Sequence, residues 1–328
     1  MKKHLLLCAA LLAASTGSTF GANESTDTVR VVYSGTTAQV TIPQAVSSYV
    51  SCTSGTSSHV VLAQSGTSIE LVYSLSGTST NGSLTLSGSY KTTVCLNGVT
   101  LTNTQKDAAL NIQNGKRVKI KMPEGTVSTL ADVSGGTQKG CLVVKGHTEF
   151  RGYGTLNVSG NTGHGIKSGE YVSVKNCTIN VKTAAKDGIN CNEYFSMESG
   201  YVSIQSADDD GIQVDVDADL TQTGTTTDHE DENSGNFYML AGTLAIDNYE
   251  GKAIKTGGSI SIATGCTCLF DTSDVKTNTY SSAVELPLSE AEATTRLYNL
   301  RGCRLSAVQR PGIYVVTDGS RTTKRLMK

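Results

Sequence analysis

Five aspartates close to a recurring Gly-Ile pair have the chemistry of a metal site. Asp187 and Asp210 each directly precede Gly-Ile, at a spacing of 210 − 187 = 23 in the numbering. If this interval is one structural repeat, their backbones stack at about 4.8 Å, and two carboxylates that close repel by roughly 1 kcal/mol in water. A hard divalent cation with oxygen ligands relieves this repulsion, and outside a cell that cation is Ca²⁺. The predicted calcium ligands are Asp187, Asp208, Asp209, Asp210 and Asp215.

The same aspartates have a second interpretation that needs no metal. Asp-Gly is ordinary turn chemistry, and residues of both charges recur at the equivalent place in neighbouring repeats. The proposed charge ladder runs through Lys139, His164, Asp187, Asp210 and Lys252. In this arrangement Lys252 neutralises Asp210.

Lysines and tyrosines near these aspartates suggest contacts with a sugar polymer. Lys167 and Lys186 are the best-placed bases for removing the proton α to a uronate carboxylate, a step that calcium assists. Tyr171 and Tyr194 occupy matching places in adjacent repeats and, with Lys167, are candidate glycan contacts. The alternatives are solvated charges for the lysines and a structural aromatic ladder for the tyrosines. Nucleophile-elbow, zinc-protease and P-loop motifs are absent from the sequence.

The repeat interval also predicts the elements that position these residues. Segment 164–167 aligns with 187–190 and 210–213, and the following coil starts at 252, where the numbering has advanced by 252 − 210 = 42. That step is one coil plus an insertion of 42 − 23 = 19. Short strands at a constant interval, separated by Gly or Asn corners, are typical of a parallel β-helix. An antiparallel sandwich would instead show hairpin turns between matched strands. The predicted fold class is all-β, a right-handed parallel β-helix with about 23 residues per coil and a small C-terminal β segment.

Two columns of apolar residues are predicted to fill the interior of this helix, because equivalent side chains of successive coils stack on one another. The first column holds Leu110, Cys141, Ile166, Ile189, Ile212 and Ile254. The second holds Val174, Met197, Met239 and Ile262.

The ends of the chain differ in character from its middle. Residues 1–22 begin with basic residues, continue with an apolar stretch and end in small residues, which is typical of a secretory signal peptide. We therefore expect a protein that is secreted or held on the outer cell surface. Residues 23–72 are predicted to form an N-terminal cap or irregular strands, 73–275 the β-helix, 276–295 a linker and 296–328 the C-terminal β segment.

Composition excludes some partners. The formal net charge is −2 and no later apolar run is long enough to cross a membrane, so neither nucleic acid nor a bilayer is an expected partner. Eight cysteines follow the signal peptide at irregular spacing, and most are predicted to be small buried hydrophobes. We expect a monomer with an extracellular polysaccharide as its partner.

The segments 73–77, 96–101, 145–150, 187–189 and 210–213 together resemble a known family, over about residues 70 to 265. They are similar to the bacterial carbohydrate-binding-domain proteins with a pectate-lyase-like parallel β-helix. The resemblance implies glycan binding and calcium sites on Asp-rich coils, carried over first to Asp187 and Asp210. The C-terminal segment, with Leu297-Tyr298-Asn299-Leu300 and Gly312-Ile313-Tyr314-Val315-Val316, resembles the sorting tails of exported Bacteroidota proteins.

Three functions are compatible with these observations. The first is a non-catalytic module that binds an acidic polysaccharide with the help of Ca²⁺. The second is a calcium-dependent, pectate-type polysaccharide lyase with Lys167 or Lys186 as base. The third is a purely structural surface β-helix.

Overall fold

The structure is a computed structural model that describes residues 27–216 and 233–277, together with the backbone of five strands between 279 and 327. The signal peptide predicted at 1–22 lies outside the described residues. No α-helix occurs among the described residues. They contain no helix that is long and apolar enough to cross a membrane.

The strands are numbered in chain order. The first sixteen are β1 (Val29–Ser34), β2 (Thr37–Thr41), β3 (Val50–Cys52), β4 (His59–Gln64), β5 (Leu71–Ser79), β6 (Ser83–Ser87), β7 (Thr92–Leu96), β8 (Thr100–Asn103), β9 (Leu110–Ile112), β10 (Val118–Met122), β11 (Val127–Asp132), β12 (Gly140–Val144), β13 (Thr148–Gly152), β14 (Thr155–Gly160), β15 (His164–Ser168) and β16 (Val172–Lys175). The others are β17 (Thr178–Ala184), β18 (Ile189–Asn192), β19 (Tyr194–Met197), β20 (Tyr201–Ala207), β21 (Ile212–Asp215), β22 (Asn236–Met239), β23 (Thr243–Tyr249), β24 (Ile254–Thr256), β25 (Ser259–Ala263), β26 (Thr267–Leu269), β27 (Val275–Lys276), β28 (Thr279–Val284), β29 (Arg296–Tyr298), β30 (Arg304–Leu305), β31 (Gly312–Thr317) and β32 (Thr322–Met327). A 3-10 helix spans Gln44–Val46.

The strands from β4 to β28 wind into a parallel β-helix with three faces, as the period predicted. The first face is the ladder β7, β10, β13, β16, β19, β22, β25 and β28, and the second is β8, β11, β14, β17, β20, β23 and β26. The third is the ladder β4, β6, β9, β12, β15, β18, β21, β24 and β27. Strand β5 joins the first two faces, because its start pairs with β7 and its end with β8.

The predicted interval of 23 between coils is confirmed at the Asp-Gly-Ile repeats. Strands β18 and β21 pair Ile189 with Ile212, so the numbering advances by 212 − 189 = 23. Strands β19 and β22 pair Tyr194 with Asn236, an advance of 236 − 194 = 42. The extra residues therefore enter between β21 and β22 without disturbing the register of either neighbour.

The second apolar column is confirmed, and the first needs one correction. Val174, Met197, Met239 and Ile262 are in register and buried. In the first column the residue paired with Ile166 is Leu142, not Cys141. Gly140 pairs with His164, so the numbering advances here by 164 − 140 = 24, one fewer than the sequence alignment assumed. Cys141 is buried one place earlier. Cys177 and Cys191 are also buried, but Cys52, Cys95, Cys266 and Cys268 are only partly buried, so the prediction that most cysteines are buried is wrong for the described residues.

The ends of the helix differ in pairing from its middle. At the N-terminal end β1 already pairs in parallel with β5 and β4 with β6, while β2 and β3 pair antiparallel with β1 and β4. At the other end β27 and β28 still pair in parallel with β24 and β25, so the helix continues past 275 and the predicted linker at 276–295 begins too early. Strands β29 to β32 form a separate antiparallel sheet, consistent with a small C-terminal β segment.

Candidate functional site

The third face presents a ladder of polar side chains to its outer side. Its inward positions are Ile166, Ile189, Ile212 and Ile254, all fully buried. Because side chains of a strand alternate between its two faces, the next residue of each strand points outward. These outward residues are Lys167, Asn190, Gln213, Lys255 and Lys276, paired in register from coil to coil.

Neighbouring members of this ladder hydrogen-bond to one another. The Lys167 ammonium donates to the Asn190 side-chain carbonyl and, at 3.2 Å, to that of Asn192. The Lys255 ammonium donates to Gln213 Oε1 at 3.1 Å. The outcome is an ordered strip of ammonium and amide groups that runs along the helix axis.

Three of the predicted aspartates meet at the start of the strands of this face. One carboxylate oxygen each of Asp187, Asp209 and Asp210 lies within 4.8 Å of the others. Asp187 and Asp210 are buried, whereas Asp209 is exposed. The three residues are called the acidic cluster below.

Each buried carboxylate accepts a hydrogen bond from the backbone of the next coil. Asp187 Oδ1 accepts from the Asp210 amide at 3.2 Å, and Asp210 Oδ1 accepts from the Lys252 amide at 2.8 Å. Asp187 Oδ2 accepts from Asn190 Nδ2 at 2.6 Å. These bonds give both aspartates a structural role, because they satisfy amides at the corner of the helix.

The charge partners agree with the ladder interpretation in kind but not in every residue. His164 Nδ1 lies 3.3 Å from Asp187 Oδ2. The cation beside Asp210 is Lys255, with Nζ 2.8 Å from Oδ2, and not Lys252, which pairs with Asp274 at 2.5 Å. Lys252, the predicted partner, precedes β24. Lys255 lies on β24 itself, at the outward position, and contacts Asp210 from there.

These contacts shift the titration of the cluster in opposite directions. Burial alone would raise the pKa of Asp187, but His164 and Asn190 lower it below its usual value. Burial and the neighbouring charges of Asp210 and Asp187 raise the pKa of Asp209. Asp210 in turn raises the pKa of Lys255. The cluster therefore keeps a charge repulsion at Asp209 that His164 and Lys255 do not remove.

The acidic cluster fits a calcium ion in its donor set, since it offers three carboxylates on one spot. Lys255 already pairs with one of these carboxylates, that of Asp210. The other two predicted ligands lie outside the cluster. Asp208 is exposed and is not among its members. Asp215 sits at the end of β21, where Gln213 Nε2 donates to both of its oxygens at 2.7 and 2.9 Å.

The two candidate bases differ in environment. Lys186 is exposed. Lys167 is half-buried in the polar ladder, and burial lowers the pKa of its ammonium despite the nearby carboxylates of Asp215 and Asp187.

The predicted aromatic contacts do not form an open platform. Tyr171 and Tyr194 are buried, and their rings stack on each other with centroids 4.7 Å apart. The other face of Tyr171 is covered by the His147 ring at 4.1 Å. The tyrosines therefore form the structural ladder, because coil-to-coil stacking covers the ring faces that a sugar would need.

Comparison with known proteins gives the family. The family model of carbohydrate-binding domain-containing proteins matches residues 54–296, which is most of the chain. The chain belongs to this family. The match covers the whole of the third face and the acidic cluster, and it ends where the C-terminal segment begins.

A solved structure supports the fold of this carbohydrate-binding domain. It is described as the polysaccharide lyase-like protein from C. thermocellum, in a gadolinium derivative. The two chains are 20% identical, with a TM-score of 0.57 over 79% of this chain and 94% of that one. No curated protein matches the chain.

The carbohydrate-binding domain also holds a cluster that the sequence analysis missed. His147, Glu170 and Glu193 meet where the third face turns into the first. Burial alone would lower the pKa of His147, but the two glutamates raise it to about 9. The available signal was the dipeptide Glu-Tyr, which occurs at 170–171 and again one coil interval later at 193–194.

Proposed function

We propose that this protein binds an acidic extracellular polysaccharide without cleaving it, along the third face, with Ca²⁺ at the acidic cluster. The observation that carries the proposal is the polar ladder, in which ammonium and amide groups repeat once per coil beside buried carboxylates. Membership of the family supports a carbohydrate as the ligand class.

The polar ladder suits a uronic-acid polymer because its groups can bind both the carboxylates and the hydroxyl groups of the sugar. Lys167 and Lys255 supply charge for uronate carboxylates, and the part-exposed amide of Gln213 supplies a donor and an acceptor for hydroxyl groups, whereas Asn190 is buried and orients Lys167. Calcium at Asp187, Asp209 and Asp210 would add a cation that bridges protein and sugar carboxylates. Because recognition is by charge and not by aromatic stacking, we expect binding to weaken at high salt.

Affinity electrophoresis in gels that contain polygalacturonate, with calcium or with chelator, tests the proposal. We expect retardation of the wild type in calcium, and its loss in Lys167→Ala. Lys175→Ala is the matched control, since Lys175 is a half-exposed lysine on the first face, paired with Glu198. Retardation by neutral glycans alone would leave carbohydrate binding in place and remove the acidic ligand. No retardation by any glycan would favour the structural β-helix.

A calcium-dependent lyase is the second candidate, and the environment of Lys167 favours it. A general base must be unprotonated to accept a proton, and a lowered pKa makes the neutral amine more available. In this reaction Lys167 would take the α proton of a uronate, the glycosidic C–O bond at the β carbon would break to leave an unsaturated sugar, and the departing oxygen would take a proton from solvent. Incubation with polygalacturonate and calcium, followed by ultraviolet absorbance of the unsaturated product, tests it. Activity lost in Lys167→Met and kept in Lys186→Met would replace the binding proposal.

We further propose that the protein is exported, through the signal peptide predicted at 1–22. Mass spectrometry of the N-terminus after expression in a bacterium tests this part. Export by the route of the Bacteroidota sorting tails is a separate expectation, tested by deleting residues 296–328 and measuring secretion.

A further inference from the structure

We propose that His147, Glu170 and Glu193 bind a transition-metal dication of the zinc class, at a site distinct from the acidic cluster. The two clusters lie at opposite ends of the third-face strands. Asp187 and Asp210 precede β18 and β21, whereas Glu193 follows β18. This inference does not depend on the proposed function.

Three ligand atoms converge on one point. His147 Nε2 lies 3.0 Å from Glu170 Oε2 and 3.3 Å from Glu193 Oε2. In a tetrahedral zinc site with bonds of about 2.0–2.1 Å, neighbouring ligand atoms are separated by roughly 3.3 Å. Both distances from the imidazole nitrogen therefore suit ligands of one ion, and the three ligand atoms lie within 4.8 Å of one another.

The burial of the carboxylates points to a missing partner. The side chain of Glu193 is only 4% exposed, and its Oε2 is directed at His147. Within the described part of the chain, neither this oxygen nor Glu170 Oε2 has a partner in hydrogen-bonding geometry. A buried carboxylate oxygen without such a partner is costly. A single Nε2–H lies in the plane of the ring and serves one acceptor well, whereas a metal ion accepts a lone pair from each of the three residues.

The surrounding structure fixes these ligands in place. The imidazole of His147 is stacked on Tyr171, which is stacked on Tyr194. Glu193 has a left-handed backbone, with φ of 65°, and its carbonyl accepts a hydrogen bond from the Gly235 amide at 2.6 Å. Orientation of ligands by neighbouring groups is a general property of metal sites.

The donor set selects the class of metal. An imidazole nitrogen with carboxylate oxygens suits zinc and related first-row ions, whereas calcium prefers oxygen ligands throughout. Two carboxylates balance the charge of a dication. Glu170 is 21% exposed, so its side chain gives an ion access from solvent.

Metal titration of the full chain, after treatment with chelator, tests the site. We expect calorimetry to show one zinc ion bound per chain and the melting temperature to rise with zinc. Glu193→Gln should weaken binding by at least about tenfold, the effect that even outer-shell partners produce. Asp187→Asn is the matched control, because it alters a buried carboxylate of the other cluster and should keep the zinc response.

The spectrum of the Co²⁺-loaded protein separates this site from zinc bound by thiols elsewhere in the chain. We expect weak d–d bands and no thiolate charge-transfer band, because the ligands are nitrogen and oxygen. If Glu193→Gln does not fold, Glu170→Gln provides the same test at a more exposed residue. No zinc binding by the wild type, an unchanged affinity in both variants, or a thiolate band would each overturn the proposal. The first outcome would mean that a protonated His147 holds the two glutamates without a metal.

Discussion

At the scale of single residues, Lys255 forms an ion pair with one carboxylate of the acidic cluster. Its Nζ lies 2.8 Å from Oδ2 of Asp210, and Asp210 is one of the three carboxylates of that cluster. An ion pair between a half-exposed lysine and a buried carboxylate is modest in free energy, yet it sets the charge that an incoming ion meets. If calcium binds at the acidic cluster as proposed, it competes with Lys255 for the Asp210 carboxylate.

We expect Lys255→Gln to lower the free energy of unfolding by about 1 kcal/mol in chelator. In calcium, the same variant should show a larger rise in melting temperature than the wild type, because Asp210 is then free to coordinate. Melting curves of both proteins, with calcium and with chelator, measure the two effects.

Lys252→Gln is the control for this prediction. Lys252 also lies beside the third face, but its ammonium pairs with Asp274, outside the acidic cluster. Its calcium response should match that of the wild type. A calcium response no larger than that of the wild type would contradict the competition, and a flat response in both proteins would leave the ladder interpretation without a metal.

At the scale of the elements, the Gly-Ile corner fixes how closely successive coils approach. A Cβ atom added to Gly188 would lie 2.7 Å from the Gly211 carbonyl oxygen and 2.6 Å from Ile204 Cγ2. Gly165 has the same relation to the Gly188 oxygen. The repeated glycine therefore reflects the close contact between one coil and the next.

We expect Gly188→Ala to lower the free energy of unfolding by about 1–3 kcal/mol, the usual cost of overpacking. Gly115→Ala should change it little, because the nearest atom to a Cβ there is Lys145 Cε at 3.9 Å. Urea denaturation gives both values, provided that the slope m is unchanged. Equal midpoints for the two variants would show that the corner tolerates a side chain.

At the scale of the whole molecule, the end of the β-helix decides which truncations are tolerated. Strands β27 and β28 pair with β24 and β25. Truncation after Asp274 removes β27 and β28 and would expose the backbone edges of β24 and β25. Exposed strand edges promote aggregation. In the described part of the chain, strands β29 to β32 pair with one another and with no strand of the β-helix.

We expect truncation after Val284 to leave a cooperative thermal transition close to that of the full chain. Truncation after Asp274 should lower the melting temperature or cause aggregation, which size-exclusion chromatography detects. Equal behaviour of the two truncations would mean that β27 and β28 do not stabilise the helix. Loss of folding after truncation at Val284 would assign the C-terminal sheet to the core.

Much of the fold was predictable because one physical requirement repeats along the sequence. Three successive coils each bury an isoleucine that directly follows a glycine, so Ile166, Ile189 and Ile212 recur at a constant interval. The error at Cys141 arose where a turn changes length by one residue. A shift of one residue changes which side chain faces inward, and only the observed pairing of Leu142 with Ile166 settles it.

The sequence by itself determined the all-β class, the coil interval, the insertion after β21 and the aspartates that stack across coils, since these follow from spacing along the chain. The tertiary structure decided which side chains converge. It paired Lys255 with Asp210, buried Tyr171 against His147 and brought Glu170 and Glu193 to the same imidazole nitrogen. Such contacts depend on the path of the corners and on side-chain direction. Residues from different coils meet there, and their separation in sequence does not specify the distance between their side-chain atoms.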